Sequence, residues 1–220
     1  MLNDVLPEPL PADPLLLAAD WLADACRRKE QPNPNAMVLA TVSASGQPSA
    51  RVVLCKDIVA NPGYVHFVSN YHSRKGRELA ANPRAALVFH WDHRHRQLRI
   101  EGVMRQSSAA ESDAYFAARA RASQLGAHAS AQSEAIASRA ALIAKLDAVT
   151  RQFGDTAVPG APDIPRPAHW GGYLLWATAV ELWVEGDARI HDRARWTRDL
   201  HVDAAGQPQP GTWHSTRLQP

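Results

Sequence analysis

Short apolar runs separated by turn residues fill the first half of the chain and constrain its fold more than any other feature. The runs MVLATVS (37–43) and PSARVVLCK (48–56) flank the turn residues SGQ, an arrangement typical of a β-hairpin. YVHFVSN (64–70) follows a Pro-Gly turn, and AALVFHW (85–91) and QLRIEGVMRQ (97–106) have the same character. Short strands joined by tight turns favour an antiparallel barrel or sandwich.

Helical periodicity occurs between and after these runs. Apolar residues recur at helical spacing from 13 to 29, with an Asp-Pro pair suited to a helix start. SRKGRELAANP (73–83) predicts a short helix with a serine N-cap. A longer helical section is expected from about 109 to 153, with a break near SQLGAHAS (123–130).

The remainder of the chain completes an α+β pattern in which antiparallel strands predominate and helices are peripheral. The proline-rich stretch 155–170 predicts an irregular surface crossing, whereas GYLLWATAVELWVEG (172–186) and TWHSTRL (212–218) predict further strands. We expect one domain over residues 13–220, preceded by a flexible segment at 1–12.

The stretch DARIHDR (187–193) places three potential cations at alternate positions, namely Arg189, His191 and Arg193. If the stretch is a β-strand, these side chains point to one face, close to the preceding Trp183. Neighbouring like charges repel, so such a face is either fully hydrated or in contact with an anion.

The composition and the motifs exclude several classes of function. The 24 Lys and Arg against 22 Asp and Glu give a formal charge of +2, without the basic excess of a dedicated nucleic-acid binder. No GxGxxG, GxxxxGK[ST], GxSxG or HExxH motif is present, and no Cys/His spacing predicts a metal site. We expect Cys26 and Cys55 to be small core residues, in a cytoplasmic protein without membrane contact.

Four groups of cationic and hydroxyl side chains are compatible with bound phosphate. Each group alone has an ordinary alternative, such as a solvated charge, a strand-end charge or a plain N-cap. Together they suggest a phosphorylated, flat, aromatic ligand, and flavin mononucleotide (FMN) would satisfy the phosphate, sugar and ring requirements. The groups are Arg74 with Lys75 at a helix start, Arg51 with Lys56 on a strand, Tyr115 with Arg119 and Ser123 on one expected helix face, and Gln132 with Ser133 at an expected helix start.

The order of these segments resembles that of the pyridoxine/pyridoxamine 5′-phosphate oxidase family, over nearly the whole chain from residue 10. No single segment is decisive, but the series is specific. The matching segments include LPADPL (10–15), NAMVLATV (35–42), SARVVLCK (49–56), NYHSRKGREL (70–79), NPRAALVFHW (82–91), AESDAYFAARARASQLGA (110–127), QSEAIASR (132–139), HWGGY (169–173), RIHDR (189–193) and RLQP (217–220).

The resemblance implies an FMN-binding split β-barrel that forms a homodimer, with FMN at the subunit interface. It implies oxidation of pyridoxine 5′-phosphate or pyridoxamine 5′-phosphate to pyridoxal 5′-phosphate, with O2 as acceptor and H2O2 as second product. The implied cofactor-binding residues are Arg51, Lys56, Val68, Ser69, Arg74, Lys75, Gln97, Gln132, Ser133, Trp183 and Arg193. The implied substrate-binding residues are Lys56, Tyr115, Arg119, Ser123, Arg189 and His191, of which Arg189 and His191 are the implied catalytic pair.

Two other functions remain open from the sequence. Related flavin oxidases act on reduced tricyclic intermediates of phenazine biosynthesis, and a non-catalytic carrier of pyridoxal phosphate or FMN would share the fold. The chain departs from the family's usual residues at Val68, Ala120, His128 and Val184, several of which adjoin the expected ring-binding region. The retained phosphate-compatible set favours the vitamin B6 phosphate oxidase.

Overall fold

A closed antiparallel barrel of six strands forms the centre of the molecule in the computed structural model, which describes residues 5–154 and 163–220. Neighbouring strands pair in the order β6-β3-β2-β1-β4-β5, and β5 pairs again with β6 to close the barrel. The barrel strands are β1 (Ala36–Val42), β2 (Pro48–Val59), β3 (Tyr64–Asn70), β4 (Arg84–Trp91), β5 (Arg96–Gln106) and β6 (Trp170–Val184).

The long strand β6 extends the sheet beyond the barrel. Its first half pairs with β3 and its second half pairs with β7 along the same edge, and β10 then pairs with β7. A separate two-stranded hairpin, which the sequence patterns did not predict, connects β7 to β10. These strands are β7 (Asp192–Thr197), β8 (Leu200–Val202), β9 (Pro208–Pro210) and β10 (His214–Leu218).

Five helices surround the barrel in the described residues, and three of them begin at serine N-caps. The first helix begins at an Asp-Pro pair, where the Asp13 side chain accepts a hydrogen bond from the backbone of Leu15, as the sequence predicts. The helices are α1 (Pro14–Arg28), α2 (Arg74–Ala81), α3 (Ala109–Ala117), α4 (Arg121–Ala129) and α5 (Arg139–Phe153). None of them is long and apolar enough to cross a membrane.

The barrel interior is filled by alternate side chains of the strands, because successive residues of a strand point to opposite faces. The described residues form two hydrophobic cores. The larger one fills the barrel and extends to α1 and to Trp196 of β7, while the smaller one, around Phe116, Leu125 and Trp170, joins α3 and α4 to the start of β6. Fully buried barrel residues include Met37, Leu39, Phe67, Leu87, Phe89, Leu98, Ile100, Leu175 and Leu182.

The expected helical section is divided differently from the prediction. SQLGAHAS (123–130) is not a break, because α4 runs through it with Leu125 and Ala129 buried. The helices are interrupted at 118–120 and again at 130–138. Gln132 and Ser133 therefore lie in a connecting loop and not at a helix start.

The stretch DARIHDR does not form a strand, so the predicted alternation of its cations is wrong. Residues Asp187–Arg189 form a single 3-10 turn, in which Ala188 and Arg189 adopt the left-handed region with φ of 52° and 65°. Strand β7 begins only at Asp192. Arg189 lies exposed on a turn, and Arg193 is the member of the three that lies in a strand.

The expected flexible segment at the N-terminus contacts the barrel where it is described, from residue 5. Leu6 is buried, its backbone N–H donates to Asp192, and the indole of Trp196 donates to the carbonyl of Pro11. Of the two cysteines, Cys55 is buried as predicted, whereas Cys26 is exposed, and both are free thiols. The surface crossing predicted at 155–170 lies partly outside the described residues.

Candidate functional site

Nine of the predicted site residues line one cavity of about 600 Å³ against strands β2 and β3, the start of α2 and the 130–138 loop. We call it the cationic cavity, since five of its lining side chains are lysines or arginines. Arg51 and Lys56 reach it from the same strand although they differ by an odd number of residues. The nine residues are Arg51, Lys56, Val68, Ser69, Arg74, Lys75, Arg119, Gln132 and Ser133.

The start of α2 brings a buried ammonium to this cavity. Lys75 is 7% exposed, and its Nζ donates to Ser73 Oγ at 2.8 Å and to Gln132 Oε1 at 2.6 Å. Burial, together with the charge of Arg51, lowers the pKa of Lys75 to about 8. Burial disfavours the charged form of Lys75, whereas an anion bound beside this helix start would stabilise the charged form.

A buried carboxylate that the sequence patterns did not single out lies beneath the same cavity. Glu78 accepts hydrogen bonds from Arg74 Nε at 2.9 Å, from Arg51 Nη2 at 3.2 Å and from Ser49 and Thr41. Burial opposes its ionisation, yet the hydrogen bonds from Thr41, Ser49 and Arg74 and the charge of Arg51 outweigh burial and lower the pKa of Glu78 to about 2. The i, i+4 spacing of Arg74 and Glu78 was the available sequence signal.

An adjoining cavity of about 420 Å³ shares Val68, Ser69, Arg119 and Gln132 with the cationic cavity and adds Ser123. Tyr115, Arg119 and Ser123 do not share one helix face as predicted, because they lie in α3, in the following turn and in α4. The turn nevertheless brings Arg119 and Ser123 to the same space.

Arg119 carries a buried donor without a partner between these two cavities. Its guanidinium lies over the ring of Trp170, with Cζ 4.5 Å from the ring centroid, and its Nη1 makes no hydrogen bond in the described part of the chain. Lys56 Nζ approaches the neighbouring ring of Tyr115, at 5.7 Å from the centroid. A buried guanidinium donor costs free energy unless it is paired, so this donor fits an anionic ligand.

A second cluster lies on the outer face of the barrel at β5, β6 and β7. Gln97 pairs in register with Trp183, and Trp183 pairs with Arg193, so the three side chains form one row across three strands. The ring centroid of His191 lies 4.7 Å from that of Trp183, next to the turn that carries Arg189. None of these five residues lines either cavity described above.

The barrel separates this cluster from the cationic cavity. Strands β2 and β5 are three strands apart in either direction around the six-stranded barrel and therefore lie on opposite sides of it. One chain thus carries two separate groups of predicted site residues, which we call half-sites: the cationic cavity and the Gln97–Trp183–Arg193 row.

A third cavity, of about 650 Å³, shares Gln132 with the two cavities described above. Three histidines line it, His72, His128 and His169, and the rings of His72 and His169 are 5.8 Å apart. The described residues contain no group of three or more His, Cys, Asp or Glu side chains suited to a metal ion.

The cationic cavity fits the phosphate end of FMN. No hydrogen bond in the described part of the structure engages the terminal nitrogens of Arg74, and Lys75 is held beside them at the start of α2. Unpaired guanidinium nitrogens, a buried ammonium and a helix N-terminus are the donors that a phosphate monoester requires.

Comparison with known families and proteins matches almost the whole chain. Residues 24–153 match the family model described as pyridoxamine 5′-phosphate oxidase, and residues 170–220 match the C-terminal dimerisation region of pyridoxine 5′-phosphate oxidase. A pyridoxine/pyridoxamine 5′-phosphate oxidase from Gluconobacter oxydans is 47% identical over 96% of both chains. The corresponding protein from Thermosynechococcus vestitus is 48% identical over 94% of this chain and 89% of its own.

Solved structures show the same architecture. PhzG from Burkholderia lata, determined with tetrahydrophenazine-1-carboxylic acid, superposes with a TM-score of 0.83 at 29% identity, over 99% of this chain and 98% of its own. An FMN-binding protein from Nostoc punctiforme, related to pyridoxamine 5′-phosphate oxidase, superposes with a TM-score of 0.66 at 17% identity, over 94% and 97% of the two chains, and supports the fold alone.

The sequence match, the barrel and the donors of the cationic cavity agree with one another, and they confirm the family, the split-barrel fold and the FMN cofactor expected from the sequence. The chain belongs to the pyridoxamine 5′-phosphate oxidase family and is an FMN-dependent oxidase.

Proposed function

We propose that the protein oxidises pyridoxine 5′-phosphate or pyridoxamine 5′-phosphate to pyridoxal 5′-phosphate, with O2 as electron acceptor and H2O2 as second product. The observation that carries this proposal is the unpartnered buried Nη1 of Arg119. Arg119 lines both the cationic cavity and the adjoining cavity, and in this proposal it forms a second anion subsite, separate from the subsite of the cofactor phosphate. A phosphorylated substrate supplies the second anion.

The residues of the cationic cavity, together with Ser123 of the adjoining cavity and the nearby Tyr115, divide between the two ligands in this proposal. Residues around the α2 start and the 130–138 loop hold the phosphate and sugar chain of FMN, and Val68 and Ser69 of β3 line it. Residues around Arg119 bind the substrate phosphate. The first group comprises Arg51, Arg74, Lys75, Gln132 and Ser133, and the second comprises Lys56, Tyr115, Arg119 and Ser123.

The ring ends of both ligands are assigned to the second half-site of a partner subunit. The Gln97–Trp183–Arg193 row contacts the cofactor ring, and the turn with Arg189 and His191 covers the substrate pyridine. Since the two half-sites lie on opposite sides of one barrel, a complete site requires two copies of the chain. We therefore propose a homodimer with FMN at the subunit interface, formed by residues 13–220 as one oxidase unit.

An exposed apolar surface beside the cationic cavity supports this dimer. Val52 is 64% exposed, Leu54 41% and Val38 40%. Val38 pairs in register with both Val52 and Val88, so the apolar residues form a continuous patch on the outer face of β2, β1 and β4. Such a patch marks an interaction surface, and the matched C-terminal region is named for dimerisation.

The protein's part in the reaction is to bind and orient. Bound FMN would supply the two-electron redox chemistry between the substrate and O2. The substrate phosphate is fixed by Arg119 and its neighbours, so that the pyridine lies at a set distance from the cofactor ring. Arg189 and His191 are polar groups directed at the substrate ring, where they stabilise charge that develops during oxidation.

Aerobic turnover tests the proposal. Purified protein with FMN and pyridoxine 5′-phosphate is expected to form pyridoxal 5′-phosphate and H2O2 in equal amounts. Replacing Arg189 with Met is expected to raise KM for the substrate strongly while FMN stays bound. Bound FMN without either product would contradict the substrate assignment and leave the cofactor assignment intact.

The second candidate is oxidation of a reduced phenazine, and the similarity to PhzG favours it. A tricyclic carboxylate would not need the second phosphate subsite formed by Lys56, Arg119 and Ser123. Turnover of a dihydrophenazine, without turnover of pyridoxine 5′-phosphate, would support this candidate.

We place the protein in the cytoplasm, where both of its thiols would stay reduced.

A further inference from the structure

Glu78 is a buried negative charge paired with two arginines of a cavity whose other charged side chains are cations. Its carboxylate is 6% exposed and lies between α2 and the β1–β2 hairpin. A buried carboxylate beside an anion site opposes the ligand electrostatically, so its presence requires a compensating effect.

At Arg74, the compensating effect of Glu78 is to orient the guanidinium. Oε1 of Glu78 accepts from Arg74 Nε at 2.9 Å. Arg74 is otherwise an exposed side chain, with 57% of its side-chain surface accessible. Binding through Nε fixes the plane of the guanidinium and leaves both terminal nitrogens for a phosphate, which favours bidentate recognition.

Oε2 of Glu78 fixes Arg51 in a different way. It accepts a hydrogen bond from Arg51 Nη2 at 3.2 Å. The hydroxyls of Thr41 and Ser49 also donate to Glu78, and they in turn accept hydrogen bonds from Arg51. Arg51 Nη1 also donates to the carbonyl of Leu39 at 3.1 Å. Four N–H groups of Arg51 are therefore engaged, and its charge is held in one place in the wall of the cavity.

The charges at the cofactor end also balance a phosphate. Arg51, Arg74 and Lys75 contribute three positive charges and Glu78 one negative charge, which leaves a net charge of two. A phosphate monoester carries close to two negative charges at neutral pH.

We propose that Glu78 is a positioning residue for the cofactor phosphate, and that it acts by holding the guanidiniums of Arg51 and Arg74. This inference rests on the proposed assignment of those arginines to the FMN phosphate. Glu78 itself does not touch the cofactor.

Three substitutions separate positioning from charge. Glu78→Ala removes both acceptors. Glu78→Asp keeps the charge but cannot reach both arginines, and Glu78→Gln keeps an acceptor oxygen at the same reach but loses the charge. Positioning predicts that FMN affinity falls in the order wild type, Gln, Asp, Ala, whereas a purely electrostatic role predicts tighter binding in the Gln and Ala variants.

The measurement is the dissociation constant of FMN and of riboflavin, by quenching of flavin fluorescence, on the full chain. Riboflavin lacks the phosphate, so the ratio of the two constants isolates the phosphate site. We expect Glu78→Ala to weaken FMN binding by roughly 10- to 100-fold, as for supporting residues of other ligand sites. Riboflavin binding should change by less than about twofold, since side chains away from the phosphate site are untouched. Glu30→Gln, at an exposed glutamate outside the cavity, is the matched control.

Each outcome is decisive. If Glu78→Ala does not fold, the order of the Gln and Asp variants carries the test. If wild type binds FMN and riboflavin equally, the assignment of the phosphate site is wrong. If wild type discriminates between them and the variants keep the same ratio, or if Glu78→Gln binds FMN more tightly, Glu78 is not a positioning residue.

Discussion

At the scale of single residues, Lys75 is a cation whose charge depends on what it binds. Its pKa is lowered to about 8 by burial and by Arg51, whereas a phosphate would raise it again. If FMN binds the protonated form, its affinity should fall above pH 8, by up to about tenfold per pH unit. Fluorescence titrations of FMN between pH 7 and 9.5 measure this directly, since the cofactor phosphate stays a dianion in that range.

Loss of folding does not account for the expected decrease. The folded pKa of Lys75 lies below the ordinary value of 10.5, so its charge costs stability at pH values below 8, and this cost disappears as the pH rises towards 10.5. Lys75→Met removes the titrating group, and its FMN affinity should be weaker and independent of pH. A wild-type affinity that stays constant to pH 9.5 would contradict the role of Lys75.

Arg119 gives a prediction that separates substrate from cofactor. Arg119→Met removes a charge-assisted contact to the substrate phosphate, and we expect KM for pyridoxine 5′-phosphate to rise about 10- to 100-fold. FMN affinity should be unchanged. The free protein should not lose much stability, because the buried Nη1 has no partner in the described structure and Met preserves contact with Trp170. Steady-state kinetics with an FMN titration test both statements, and an unchanged KM would remove Arg119 from the substrate site.

At the scale of elements, periodicity predicted the strands and helices whose packing agrees with their local sequence. It failed where packing outweighs local preference. A break was predicted near SQLGAHAS (123–130), yet α4 continues through this stretch because Leu125 and Ala129 are buried. Their burial outweighs a cost of about 1 kcal/mol for the helical Gly126. Ala188 and Arg189 adopt the left-handed conformation although neither is a glycine or an asparagine, so these two residues did not indicate a turn.

The site was predictable to the extent that its parts are local in sequence. Arg74 and Lys75 could be predicted as candidate phosphate ligands because two cations at a helix start are recognisable in the sequence. Glu78 was missed because its partner Arg51 is 27 residues away. The two residues meet because α2 packs on β1 and β1 pairs with β2, which carries Arg51. The separation of the two half-sites could not be predicted from the sequence either, because it follows from closure of the barrel by β5 and β6.

The position of α2 depends on a close backbone approach at Gly76. A Cβ built there would lie 1.9 Å from the carbonyl oxygen of Tyr71. Gly76→Ala should therefore displace the helix that carries Arg74 and Lys75, lower the free energy of unfolding by about 3 kcal/mol and weaken FMN binding.

A matched glycine shows whether this effect is specific. At Gly126 in α4, an added Cβ meets no atom within 4 Å, so Gly126→Ala should raise stability by about 0.5–1 kcal/mol. Urea denaturation of both variants compares them. Equal stabilities would show that the contact between α2 and Tyr71 is not a constraint.

At the scale of the whole molecule, the two groups of predicted site residues lie at different strands of the barrel. The cationic cavity lies at β2 and β3, and the Gln97–Trp183–Arg193 row lies at β5, β6 and β7. The apolar patch around Val52 adjoins the first of them. If, as proposed, a second copy covers that patch and its row meets the cavity of the first chain, assembly and cofactor binding are linked.

Mixing two defective variants tests this arrangement. Arg74→Gln damages the cationic half-site and Arg193→Gln damages the other, so each variant alone should bind FMN weakly. In a mixed dimer one site receives both defects and the other receives none. Random assembly of equal amounts should therefore restore about one quarter of all sites to wild-type affinity, since half of the dimers are mixed. If each site belonged to a single chain, every site in the mixture would keep one defect, and FMN titration would detect no tight sites.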